Sequence, residues 1–243
     1  EDAQKTTVIL RSGLLVGLIA IWIFLQPNLS TTIVLLDIWA AFLWITGIRI
    51  KLIFIVVGVI ILVLLIGLGT GFSFLEEYQR NRITNFLFPD PNASYGETYN
   101  VDQALITIGT GSWFGEGYLQ STQSQLHFLM VRHTDFIFSV MAAEFGFVGT
   151  TIVILLLMVV AYRCFRIAQN ATDLFGALIA YGFGILIFFQ SMVNIGVNLN
   201  VLPVTGLTLP FVSYGGSSLL SLMLGIGMVE SVAMRSPKKL KGV

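Results

Sequence analysis

Apolar residues gather in six long stretches, and polar residues collect between them. The stretches are Val8–Gln26, Thr31–Ile48, Leu52–Phe72, Phe136–Tyr162, Leu174–Asn194 and Gly216–Met234. A helix needs about 20 mostly apolar residues to carry it through the hydrocarbon of a bilayer. The pattern therefore predicts an all-α polytopic membrane protein with about six transmembrane helices, forming a single membrane domain over 1–243. The breaks fall where backbone chemistry favours them. Gln26-Pro27-Asn28 follows the first stretch, Gly47 to Lys51 the second, and Arg163 to Asp173 the fourth.

Two connections are unlike the rest. Residues 73–134 are too long for an ordinary linker, and loops of that size are functional or disordered. This one keeps Tyr78, Phe86, Phe88, Tyr95, Tyr99, Trp113, Phe114, Tyr118 and Phe128, so a structured loop lying at a membrane surface is expected. The other connection, Asn194–Gly216, holds two prolines and four glycines near membrane depth. Irregular backbone is tolerated there only where protein buries it or where it lines a watery cavity.

Composition and charge sharpen this reading. Hydrophobic residues are 56% of the chain and charged residues 11%, about half the charged share of a soluble domain. Too few charges remain to cover a water-facing surface. Net charge is +0, which gives no electrostatic basis for a nucleic-acid partner. With an N-terminus in the cytosol, inside segments hold Lys5, Arg11, Arg49, Lys51, Arg163, Arg166, Arg235, Lys238, Lys239 and Lys241. Outside segments hold only Arg80, Arg82 and Arg132, so ten of the 13 basic residues are inside. That bias predicts cytosolic ends and an extracytoplasmic 73–134 loop, with 235–243 a basic cytosolic tail at anionic headgroups. Cys164 is the single cysteine, so no internal disulfide forms. Beside Arg163 and Arg166 it reads as an inert membrane-edge residue, a functional thiol being the alternative. Residue 1 is Glu, without a signal-peptide pattern, and the chain reads as a piece of something longer.

Ionisable groups at membrane depth are expensive and tend to face a bundle interior or cavity. Asp37 and Glu144 fall in predicted spans, where structural pairing and a functional role are both open. Glu230, near a helix end, reads as a snorkelling residue. Asp135 stands in Arg132-His133-Thr134-Asp135, where the long loop turns into an apolar helix. There it could be a helix N-cap. It could equally be a working carboxylate beside two groups able to hold phosphate. No Walker loop, nucleophile elbow, dinucleotide fingerprint or Cys/His metal spacing occurs, and His127 and His133 are not spaced as a helical ligand pair.

Longer runs carry a resemblance. Leu202-Pro203-Val204-Thr205-Gly206-Leu207-Thr208-Leu209-Pro210-Phe211-Val212-Ser213-Tyr214-Gly215-Gly216-Ser217-Ser218 is similar to the signature of the SEDS family (shape, elongation, division and sporulation). Gln190 to Gly196, His133 to Ser139 and Gln26 to Thr31 match the same family in the same order. Tyr99-Asn100-Val101 with Thr122 to Leu126 resembles its elongation branch more than its division branch. The chain departs at Asn28, where the family usually has Asp, and at Met130 and Thr208, where it often has Pro. It departs again at Ala143-Glu144, which often reads as two acids.

The resemblance implies the last six helices of a ten-helix fold. It also implies a peptidoglycan glycosyltransferase that polymerises lipid II outside the cell membrane during elongation and cell-shape control. The implied partners are a class B penicillin-binding protein and other membrane proteins of the elongation complex. By this analogy Asp135 is the catalytic base, with Arg132, His133 and Thr134 nearby for phosphate binding or orientation. Ser213, Tyr214, Gly215, Gly216, Ser217 and Ser218 open the last helix, where backbone N–H groups suit an anion; close helix packing is the alternative use of those small residues. Glu144, Asp37 and Asn28 are candidate supporting residues. No cofactor is marked in the sequence; Mg or Mn could assist the pyrophosphate, without a ligand cluster to place it. A lipid II flippase and a non-catalytic scaffold for the penicillin-binding protein are the competing classes.

Overall fold

The computed structural model describes residues 6–26, 28–47, 77–89, 96–121 and 134–236. The predicted span Leu52–Phe72, most of the basic tail, and Arg132 and His133 lie outside the described residues. Regular structure among the described residues is helical throughout: α1 (Thr6–Leu25), α2 (Leu29–Ile45), α3 (Glu77–Leu87), α4 (Glu97–Thr110), α5 (Ile137–Gln169), α6 (Leu174–Asn198) and α7 (Gly216–Arg235). Of these, α5, α6 and α7 are each long and apolar enough to cross a membrane, while Arg11–Leu25 and Ser30–Ile45 are shorter apolar helical stretches. Within the 73–134 segment, α3 and α4 are helical.

The chain divides into two compact units, Glu1–Pro89 and Asp90–Val243. In the first, α1 packs on α2. The Trp39 indole N–H reaches Ser12 Oγ at 3.4 Å, and its ring fits because residue 13 is Gly: a Cβ there would stand 3.0 Å from Trp39 Cζ2. Asn28 caps α2, its Oδ1 accepting from the Thr31 N–H at 3.1 Å and the Thr31 hydroxyl at 2.8 Å. Asn and Asp cap about equally well, so the change from the usual family acid leaves this cap intact. Asp37 sits within α2, half-buried.

The second unit is built on α5 and α6. Asp173 caps α6 by accepting the Gly176 N–H at 3.0 Å, which ends the short turn after α5 and sends the chain back antiparallel. Helices in lipid associate through close packing of small residues. Cys164 is 4% exposed and packs with Ala168, Ala180 and Val229. A Cβ at Gly225 would collide with the Phe183 ring, so α7 approaches α6 through that glycine.

At Gly146 the 33-residue α5 is broken, with φ 68 and ψ −170. A break at membrane depth strands backbone groups that need partners. The segment after α4 supplies them. Glu116 N–H donates to Ala143 O at 2.8 Å and Gly117 N–H to Glu144 O at 3.1 Å. On the other side of the break, Phe147 N–H donates to Ser112 O at 3.0 Å and Val148 N–H to Trp113 O at 3.1 Å. Rings fasten both sides: Trp113 meets Phe147 edge-on at 5.3 Å and Tyr118 stacks on Phe145 at 6.3 Å.

Candidate active site

Asp135 lies two residues before α5, and the helix start around it is capped from elsewhere. The N-cap residue is Phe136, which makes no side-chain cap bond and is 2% exposed. The amide of the third helical residue, Ser139 N–H, donates instead to Asn198 Oδ1 of α6 at 3.1 Å, and the Ser139 hydroxyl donates to the same oxygen at 2.6 Å. A short polar side chain at the helix start normally fills this role. Here a residue 59 positions away does so. The third amide of α5 is thus capped from α6 by Asn198.

The main chain of Asp135 is held from two sides. Asn194 Nδ2 donates to the Asp135 carbonyl at 3.0 Å, and Asn198 Nδ2 donates to the same carbonyl at 2.9 Å. Asn194 Nδ2 also donates to Leu207 O at 2.7 Å, tying the irregular 199–215 segment to the same point. Both asparagines are buried, Asn194 at 1% and Asn198 at 0% exposure. A Cβ built on Gly206 would stand 3.9 Å from Asp135 Oδ2. Gly206 itself is exposed at φ 78, so backbone without a side chain stands beside the carboxyl group.

The irregular segment is met by protein, as membrane depth requires. Ser213 Oγ accepts from Leu209 N–H at 2.8 Å and donates to Thr134 O at 2.8 Å. Thr134 and Ser213 are thus brought together, but through a hydroxyl already engaged with backbone at both ends. Thr208 and Ser218 hydroxyls lie 3.5 Å apart. Gly215 caps α7 without a side-chain bond, and Tyr214, Gly216 and Ser217 are exposed. A Cβ on Gly216 would meet nothing within 4 Å, so close helix packing does not account for that glycine.

Glu144 is placed apart, in the break of α5. It is 6% exposed, and its carboxylate takes a hydrogen bond from the Leu119 backbone. This side chain fastens the 111–121 segment. Asn28 and Asp37 belong to the first unit. Arg132 and His133 lie outside the described residues. Among the described residues, no group of three His, Cys, Asp or Glu side chains could hold a metal ion.

Sequence reading missed Asn194, Asn198, Ser139 and Gly206. A signal for the first two was present: Ser191, Asn194 and Asn198 recur at helical spacing on one face of an otherwise apolar stretch. Polar groups on one stripe of a membrane helix face protein or water, because lipid leaves them unsatisfied.

Comparison with known proteins places this geometry. The cell cycle protein family model for FtsW, RodA and SpoVE matches residues 1–238. A probable peptidoglycan glycosyltransferase FtsW of Hydrogenovibrio crunogenus is 42% identical over 238 residues, covering 96% of this chain and 59% of the relative. The peptidoglycan glycosyltransferase MrdB of Escherichia coli is 40% identical over 207 residues, covering 85% of this chain and 55% of the relative. A solved structure, described as showing structural coordination of polymerization and crosslinking by a peptidoglycan synthase complex, is similar at TM-score 0.72 and 33% identity. The similarity covers 91% of this chain and 60% of that one. The chain therefore spans little more than half the length of these relatives. By its sequence match and its helical architecture, the chain is an integral membrane protein of the FtsW/RodA/SpoVE (SEDS) family.

Proposed function

We propose that this chain is the C-terminal, site-bearing part of a peptidoglycan glycosyltransferase that polymerises lipid II at the outer face of the cell membrane. The observation that carries the reading is the Asp135 turn. Its main chain is held by two buried asparagines, Asn198 caps the third amide of the helix that follows, and the exposed Gly206 stands beside its carboxyl group. An acceptor sugar hydroxyl attacks the anomeric carbon of a donor sugar. The new C–O bond forms as the bond to lipid pyrophosphate breaks, and the hydroxyl proton passes to Asp135. A base positioned in this way is the general-base role that such transfer needs. Arg132 and His133, a few residues before it in sequence, would bind the departing phosphates, and the exposed start of α7 would offer further N–H donors for an anion.

The test uses the full-length protein in detergent with purified lipid II. Glycan polymer is the expected product. Movement of the lipid across vesicle bilayers without polymer would support the flippase class instead, and neither activity would support a scaffold.

The proposed orientation puts both ends of this chain in the cytosol and 73–134 outside, supported by the distribution of basic residues. In a Cys164→Ala background, single cysteines at positions 92 and 241 should label from opposite sides of intact cells. Labelling of both from one side overturns the topology.

Elongation-type motifs support a role in cell-shape control with a class B penicillin-binding protein, and one similar structure couples polymerization to crosslinking. The relatives named FtsW and MrdB match at 42% and 40% identity, so overall identity does not separate division from elongation. Depletion should round the cells if the elongation reading holds, with a crosslinking enzyme of that complex recovered on purification. Filamentation, with a division-specific partner recovered, would move the chain to the other branch.

A further inference from the structure

We infer that Asn194 and Asn198 are positioning residues for Asp135, a pair of side-chain amides that fixes the peptide plane from which the carboxyl group is presented. The inference rests on the reading of Asp135 as the base. Three observations carry it. First, both amides donate to one carbonyl oxygen, that of Asp135, at 3.0 and 2.9 Å, using both of its acceptor sites. Second, capping explains only part of the arrangement. A cap needs an acceptor, and Asn198 Oδ1 supplies it at 3.1 Å from Ser139 N. Asn194 caps nothing; its amide joins Asp135 O to Leu207 O at 2.7 Å.

Third, the pair locks itself. Asn198 Nδ2 also donates to Asn194 O at 2.9 Å, and the Ser139 hydroxyl holds Asn198 Oδ1 at 2.6 Å, which orients the amide so that its nitrogen faces Asp135. With the peptide plane held, the Asp135 Cα is fixed, and only its ψ and side-chain torsions are left to place the carboxyl oxygens beside Gly206. Buried polar networks satisfied in this way are rigid. Rigidity matters because a displacement of about 1 Å at a reacting group can lower the rate by roughly a hundredfold.

Two variants separate positioning from structure. Asn198→Asp keeps the acceptors that cap α5 and removes the donor to Asp135. Asn194→Leu removes its donors without adding charge. Each is made in the full-length protein, alone and combined with Asp135→Asn, and assayed for melting temperature and for kcat and KM on lipid II. The expected result is a fall in kcat of about tenfold or more with KM near native. The same substitutions should give no further fall in the Asp135→Asn background, since residues acting through one group are not additive.

A folded variant with kcat within twofold of native overturns the inference. So does a fall that multiplies with that of Asp135→Asn. If one variant does not fold, the other decides; if neither folds, the pair is a fold element and the positioning role is overturned. The two readings fail differently. Near-normal polymer from Asp135→Asn removes the base and the clamp together, whereas an inactive Asp135→Asn with active asparagine variants removes the clamp alone.

Discussion

Asp135→Asn in the full-length protein is expected to leave expression and melting near native while lowering polymerisation by roughly a hundredfold or more. Asn keeps the shape and hydrogen-bonding reach of Asp and loses the basic oxygen pair. If Asp135 were a helix cap, the swap would be nearly silent, because Asn caps as well as Asp. In this fold Phe136 holds the cap position and the Ser139 amide is held by Asn198 Oδ1 at 3.1 Å, so the Asn swap at 135 separates the two roles directly. The loss should fall on kcat rather than KM, since proton removal develops in the transition state and not in the bound substrate. Near-normal polymer from a folded Asn variant would end the base assignment. Attention would then pass to Arg132 and His133.

Much of the architecture is legible from hydropathy, because lipid imposes one rule on every residue that faces it. The predicted Leu174–Asn194 meets α6 at Leu174–Asn198, and the predicted Gly216–Met234 meets α7 at Gly216–Arg235. The four extra residues of α6 show where that rule stops. Asn198 is polar, so a hydropathy ruler ends the span before it, yet in the fold it is 0% exposed and bonded to α5. The break in α5 was also beyond reach. Gly146 sits in an apolar run that reads as unbroken helix, and only the backbone pairing with 112–117 shows why a non-helical residue is tolerated. Glu144 was equally ambiguous as a symbol in a sequence, because an acid at membrane depth is expensive in every setting. In the fold its carboxylate meets the Leu119 backbone, a contact no spacing rule announces. For Asp135, sequence placed a carboxylate at a loop-to-helix edge but could not tell a cap from a base. The residue that caps α5 comes from α6; its polar stripe is readable in the sequence, but the partner it meets 59 positions away is not.

Gly115→Ala is expected to unfold or severely destabilise the second unit, and the reason lies in the backbone it touches. Gly115 has φ 80, and a Cβ added to it would land on the carbonyl carbon and oxygen of Glu144, with Gly146 N at 2.7 Å. A left-handed conformation costs a non-glycine residue about 1–2 kcal/mol. Relieving an overlap with backbone costs roughly 1–3 kcal/mol more, because neither strand of this pairing can rotate away as a side chain could. Moving the strands apart would also strain the Gly117-to-Glu144 bond at 3.1 Å and the Glu116-to-Ala143 bond at 2.8 Å, leaving carbonyls unpaired at the break in α5. The total of roughly 2–5 kcal/mol is a large share of the stability of an ordinary domain. Gly96 provides the control: its φ is 98, but a Cβ there meets nothing within 4 Å. At φ 98 and ψ −161 it lies in a region nearly reserved for glycine, so Gly96→Ala should show a conformational cost of roughly 1–3 kcal/mol alone, without the backbone overlap. Gly117→Ala, at φ 102 with only the Gln120 side chain 3.3 Å away, should fall close to that control, since Gln120 can turn aside. Detergent-solubilised melting of the three full-length variants checks the order. If Gly115→Ala melts no lower than Gly96→Ala, the segment after α4 is not fastened into the break of α5, and the partners proposed for those carbonyls are wrong.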